Sequence, residues 1–291
     1  MFTTIIGITG KAVALAICAP LVSGFIRKIK NFIRMRQGPG VLQPYYNALK
    51  LFSKDEVISK NTSWIFYAAP AIVFAASVSS LALVLAVRSG HPGANGIALL
   101  IAALFVLGLG RFFLALGGLD AASSFGGMGS SREMFISTFA EPAAFVAIFV
   151  LGMGGDSFKV SGVLAGIALF MVAIAETSRV PVDNQETHLE LTMVHEAMVL
   201  EYSGRSLALI ELAGHIKQMI FFIVLSWYLF PALGAARWGW AAFPVEIAVI
   251  GLAIAIIEVS VAKMRLFRVV DFLSFSFFIA LAAAIAAGLG L

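Results

Sequence analysis

VSGVLAGIALFMVAIAETSRVPVDNQETHLELTMVHEAMVLEYSG, Val160 to Gly204, is the stretch that decides how the chain is read. Its first part, Val160–Ser178, is almost wholly apolar over a length that crosses a bilayer. The rest turns acidic at once. Glu176, Asp183, Glu186, Glu190, Glu196 and Glu201 supply six carboxylates, with His188 and His195 among them and Arg179 as the single cation. An apolar run of this length, joined to a dense polar segment, predicts a membrane span ending in a functional loop.

The composition extends that reading to the whole chain. The 291 residues are 60% hydrophobic and 12% charged, with mean hydropathy +0.98; soluble domains carry about 25% charged residues. The apolar runs are continuous rather than alternating, which excludes a membrane barrel. The expected fold is an all-α polytopic membrane protein of one integral domain, residues 1–291. Eight spans are predicted, at 2–26, 64–87, 95–117, 135–152, 160–178, 206–233, 242–262 and 272–289. Met1 to Ile26 lacks a basic n-region and a small-residue cleavage site, so no cleavable signal is expected. The one cysteine, Cys18, excludes an intrachain disulfide and a multi-cysteine cluster.

Charge sets the expected topology. With the N-terminus outside, the inner loops 27–63, 118–134, 179–205 and 263–271 hold 14 of the Lys and Arg residues, and the outer loops hold three: Arg88, Lys159 and Arg237. The positive-inside rule then puts both termini outside and the acidic segment on the cytoplasmic side. The net charge of +4 is explained by this asymmetry and is no signal for nucleic acid. In the first inner loop, Leu42, Tyr45, Leu49 and Phe52 recur at helical spacing after an Arg36-Gln37-Gly38-Pro39-Gly40 turn. They predict an amphipathic helix at the membrane surface, either a headgroup anchor or the wall of a site opening inward. The Gly126-Gly127-Met128-Gly129-Ser130-Ser131 run predicts close backbone docking rather than an anion nest, since no phosphate-loop lysine follows.

Ionisable residues inside spans are costly and are functional suspects. Glu141, Glu176, Glu211 and Glu258 lie on four different spans, and Glu211, His215 and Gln218 fall on one helical face. Carboxylates outnumbering the cations among them, with a histidine, suit a proton path, because burial and neighbouring charge move the point at which each holds its proton. Structural ion pairs fixing helix packing are the alternative. In the acidic segment, Asp183 and Glu186 have capping-box spacing, which predicts a helix starting near Asn184. His195-Glu196 is not a zinc-protease motif, since the second histidine is missing at Val199. No metal site and no catalytic residue is predicted.

Ala175-Glu176-Thr177-Ser178-Arg179-Val180-Pro181-Val182-Asp183, ending in Glu201-Tyr202-Ser203-Gly204, resembles the signature loop of respiratory complex I subunit 1 and its relatives. Arg27-Lys28, the Arg36 turn, the Leu42-Gln43-Pro44 helix start and the Arg132…Glu141 spacing extend the resemblance over nearly the whole chain. Departures select a branch. Ile26 stands where complex I has a glutamate, the acidic segment is three residues longer, and Glu211 lies one turn earlier than the corresponding carboxylate. With the Gly126–Glu133 run, these resemble the formate hydrogenlyase, hydrogenase-4 and group 4 energy-converting nickel–iron hydrogenase branch.

The resemblance implies a membrane-arm subunit of such an oxidoreductase complex in the prokaryotic cytoplasmic (inner) membrane. It implies no cofactor in this chain, with the nickel–iron centre and iron–sulfur clusters in partner subunits. Expected partners are the hydrogenase large and small subunits, an iron–sulfur subunit and antiporter-like membrane subunits, with quinone disfavoured. Glu141, Glu176, Glu211, His215 and Glu258 would couple electron transfer to proton translocation. Arg36, Arg132, Arg179, Asp183, Glu186, His188, Glu190, His195, Glu196 and Glu201 would form the junction with the peripheral arm. The alternatives are a quinone-site subunit of complex I, a stand-alone ion transporter, for which the acidic segment is needlessly elaborate, and a purely structural membrane anchor.

Overall fold

The computed structural model describes residues 2–58, 62–88, 94–152, 159–183, 193–230 and 239–290. Their order is α1 Phe2–Ile33, α2 Gln43–Phe52, α3 Trp64–Arg88, α4 Ala94–Asp120, α5 Ser124–Gly152, α6 Val160–Glu176, α7 His195–Val199, α8 Gly204–Leu229, α9 Gly239–Ser260 and α10 Leu266–Gly288. Among the described residues, seven helices (α1, α3, α4, α5, α8, α9 and α10) are long and apolar enough to cross a membrane, and α6 is a shorter apolar helix. The protein is an all-α, multi-pass membrane protein. The eight expected spans are thus seven long helices and one of 17 residues.

Three helices run further on the loop side than hydropathy alone indicates. α1 continues past Ile26 to Ile33, carrying Arg27, Lys28 and Lys30 in its last turns, where the helix dipole favours cations. α5 starts at Ser124, so the glycine-serine run forms its first turns rather than a loop. α10 starts at Leu266 rather than Phe272.

Small residues set the packing. Ala140, Ala143, Ala144 and Ala147 of α5, Ala165 and Ala168 of α6, and Ala280 and Ala283 of α10 are buried where these three helices meet. Without large side chains the backbones approach closely, which drives helix association where lipid is as apolar as leucine. The Ser276 hydroxyl donates to the Ala168 carbonyl at 3.0 Å, tying α10 to α6. Elsewhere α3 pairs with α4, and α8 packs against α1, α3 and α6.

α2 lies against α1 and α8. A side chain at Gly24 would strike the Val41 carbonyl oxygen, so glycine is what lets the start of α2 rest on α1. The predicted apolar stripe divides. Leu42, Leu49 and Phe52 are exposed, as is Tyr46. Tyr45 is half-buried, and its hydroxyl donates to the Ile17 carbonyl of α1 at 2.5 Å.

Candidate functional site

The site begins where α6 stops. Ser178 has φ 51°, the Arg179 amide donates to Ile174 O, and the Ser178 amide donates to Ala175 O, both at 3.0 Å. This is a Schellman ending with serine in the left-handed position usually held by glycine. It reverses the chain and turns Arg179 back into the protein. Arg179 Nη1 lies 3.1 Å from Glu258 Oε1, and its Nη2 donates to Gln218 Oε1 at 2.9 Å. Lys30 Nζ reaches the other Glu258 oxygen at 2.7 Å.

Gln218 continues the network. Ser23 donates its hydroxyl proton to Gln218 Oε1 at 2.6 Å. Ser23 Oγ is also 2.9 Å from His215 Nδ1. A hydroxyl has one proton to give, so His215 Nδ1 carries hydrogen and donates to Ser23. Lys30, Glu258, Arg179, Gln218, Ser23 and His215 therefore form one connected line.

A second group gathers on Arg111 of α4, which is buried. Its Nη1 is 2.8 Å from Glu141 Oε1, its Nε is 3.8 Å from Glu133 Oε1, and its Nη2 pairs directly with Glu176. Lys217 Nζ lies 2.7 Å from the same Glu176 oxygen. The expected surplus of carboxylates over cations does not hold. Arg111 serves Glu141 and Glu176 together, Lys217 adds a second cation to Glu176, and Glu258 has two cations of its own. Hydropathy treats Arg111 and Lys217 as isolated intramembrane charges; only the packing of α4 and α8 against the end of α6 brings them to their carboxylates. Glu211 has no ion-pair partner within 4.0 Å among the described residues.

Cavities join these groups. One, of about 290 Å³, is lined by Ser23 and Arg27 of α1, Asn47 of α2, Glu176, Glu196 and Glu211, His195 and His215, and Lys217. The surface helix α2 thus walls an inlet. A cavity of about 40 Å³ follows, sharing His195, Ile210, Gly214 and Lys217 with the first and adding Arg111, Glu133 and Ser77. A crevice of about 10 Å³ lies between Arg111, Glu141 and Glu176. The side chain of Glu141 remains 41% exposed on the lateral surface of the chain.

The residues expected at the junction separate by position. Arg179 and Asp183 are buried. The helix expected to start near Asn184 lies outside the described residues. Asp183 Oδ2 accepts the amides of Val194 (3.3 Å) and His195 (3.1 Å) at the start of α7, and its Oδ1 pairs with Lys263 at 2.6 Å. The Met264 amide donates to Pro181 O at 2.9 Å, so the α9–α10 connection runs along this segment. Arg132 Nη1 donates to Met193 O at 2.9 Å and holds the segment from α5. Arg36 and Glu201 are exposed, and Glu196 and His195 are half-buried on the inlet. Glu186, His188 and Glu190 lie outside the described residues.

Tyr202 closes the segment, stacked on Phe66 with ring centroids 4.1 Å apart. Burial, with the Asp120 carboxylate second, raises its hydroxyl above the usual phenol range, so the ring stays neutral. No group of three or more His, Cys, Asp or Glu side chains is arranged to hold a metal among the described residues.

Helical spans that enclose paired charges and small cavities define an integral membrane protein with a buried charged site. The chain belongs to the NADH dehydrogenase family, whose model matches residues 6–288. It is 31% identical to hydrogenase-4 component C of Escherichia coli (strain K12) over 226 residues, 72% of this chain and 70% of that protein. It is 28% identical to formate hydrogenlyase subunit 4 of the same organism, covering 72% of each. Its fold matches a chain of the archaeal membrane-bound sulfane sulfur reductase, a respiratory membrane complex, at TM-score 0.78 and 17% identity, over 97% of this chain and 99% of that one.

Proposed function

We propose that this chain is the membrane-arm subunit of a hydrogenase or formate hydrogenlyase-type respiratory complex, anchoring the soluble redox arm and coupling its electron transfer to proton translocation. The carrying observation is the row of cavities touching charged side chains, from the inlet at Glu211 and His215, past Lys217, Glu176 and Arg111, to Glu141. A carboxylate partly exposed within a membrane helix is costly in lipid. Glu141 is therefore where a neighbouring membrane subunit of the antiporter-like kind covers this face and takes the proton on. The relatives with hydrogenase and formate hydrogenlyase names support the choice of complex. The cation asymmetry between loops supports termini outside and the acidic segment in the cytoplasm, in a prokaryotic inner membrane. The nickel–iron and iron–sulfur centres belong to partner subunits in this reading.

The test is hydrogen turnover and proton accumulation measured together in inside-out vesicles. Glu176→Gln and Glu141→Gln are expected to leave the complex assembled and to lower protons moved per hydrogen made. Full pumping by the assembled double variant refutes the proton path. A quinone-reactive site is the second reading, favoured by the size of the inlet. Against it, Ile26 is fully buried and would meet a side chain at Gly251 of α9 at 3.3 Å, so the position where complex I has a glutamate belongs to the apolar core. Quinone-dependent, inhibitor-sensitive activity of the purified complex would favour that reading.

A further inference from the structure

Among the described residues, His195 is the imidazole that lines both the large inlet and the small cavity behind it. On the inlet side it shares a wall with Glu196 and Glu211. On the inner side it shares a wall with Glu133, whose carboxylate is 3.8 Å from Arg111 Nε. The small cavity, about 40 Å³, exceeds the space one water needs and offers it polar partners. Three contacts fix the backbone that carries the ring: Asp183 on the His195 amide, Arg132 on the Met193 carbonyl, and Gly129, where a side chain would meet Val194 O at 2.9 Å. Asp183 is in turn held by Lys263.

We propose that His195 and Glu133 form a proton-transfer pair, a second entrance to the Arg111 cluster. This inference rests on the proton-translocation reading above. The step balances within the chain. One ring nitrogen of His195 takes a proton from inlet water, and the other releases its proton through water in the small cavity to the Glu133 carboxylate. The ring returns to its starting tautomer by turning over. No oxidant, metal or cofactor is needed. Both residues bear chemistry that the ion pairs described above leave unused: His195 has no ion pair among the described residues, and Glu133 is only at the edge of Arg111's reach.

The test uses the intact complex in inside-out membrane vesicles, with hydrogen turnover and proton accumulation read together. In His195→Ala, protons moved per hydrogen are expected to fall but not to vanish, since the route from the inlet past Lys217 and Glu176 stays open. Imidazole added to the medium should restore them, because it can occupy the vacated space and carry the proton. His195→Gln, which keeps polarity and bulk, should show the same fall without rescue, and it carries the test should the alanine variant fail to assemble. Glu133→Gln should reproduce the fall. Wild-type coupling in His195→Gln, or a loss in assembled His195→Ala that imidazole leaves unrepaired, overturns the proposal. Glu176→Gln run alongside separates the two readings: if it uncouples while the His195 variants pump normally, only this inference fails; if it too pumps normally, the parent reading fails.

Discussion

Arg111 on α4 and Glu176 at the end of α6 are 65 residues apart in sequence and directly paired in the buried interior. The same guanidinium holds Glu141 at 2.8 Å, so one cation joins two helices of the proposed path. Arg111→Met would strip Glu141 of its cation and leave Glu176 to Lys217. Breaking a fully buried pair by removing one partner costs about 3–5 kcal/mol, and the cost here is smaller, because Glu176 keeps Lys217 and Glu141 is 41% exposed. The expected outcome is a loss of assembled complex on native gels. Adding Glu141→Gln to Arg111→Met should recover part of it, since the second change removes the carboxylate left without its cation.

Glu258 is the contrasting case, because it has two cations. Lys30→Met leaves it Arg179, whereas Arg179→Met also removes the donor to Gln218 Oε1 and loosens the line to Ser23 and His215. The arginine change should therefore lower the thermal stability of the purified complex more than the lysine change. The double variant should fall by more than the two added together, since only then is Glu258 bare. Melting of the four proteins of this cycle by intrinsic fluorescence measures it.

Gly129 sits where α5 touches α7. A side chain there would lie 2.8 Å from Ala197 Cβ and 2.9 Å from both Met198 N and Val194 O. Two of these are backbone atoms that cannot step aside without moving α7. Gly129→Val is expected to cost about 1–3 kcal/mol of local stability and to make the acidic segment more open to limited proteolysis. Gly7→Ala, on an exposed stretch of α1 with nothing within 4 Å, should leave the cleavage rate unchanged.

Sidedness has a direct test. Glu201 is exposed at the end of the acidic segment, and Cys18 is the single native cysteine. In a Cys18→Ser background, Glu201→Cys should react with a membrane-impermeant maleimide in inside-out vesicles and stay unlabelled in right-side-out ones. The opposite pattern would invert the proposed topology.

The acidic segment illustrates what was legible and what was not. That Glu176 ends an apolar helix is written in the local pattern, because hydropathy and helix length are properties of neighbouring residues. That Asp183 would cap a helix beginning at His195, twelve residues on, is not. Capping-box spacing points to the nearest amides, and only the folded path of the chain brings more distant ones within reach. Arg36 and Glu201 could be read as surface residues from their loops, but Arg179 could not be read as buried. Its inward turn follows from the left-handed Ser178, and serine carries no sequence mark of that conformation.

By itself, the sequence determined the class of protein: apolar helices, a charged minority confined to their ends and a few interior positions, and a polar segment between two of the helices. These follow from the cost of leaving backbone and charge unsatisfied in lipid, which acts over a single span. The tertiary structure alone decided which charge meets which. Arg111 reaches Glu141 across 30 residues and Arg179 reaches Glu258 across 79, separations set by how small residues let α5, α6 and α10 close on one another and by how α8 lies against α1 and α6. Counted along the chain, the intramembrane charges show too many carboxylates. Packed together, most of them are shared between helices, because one buried guanidinium has enough donors to hold more than one carboxylate.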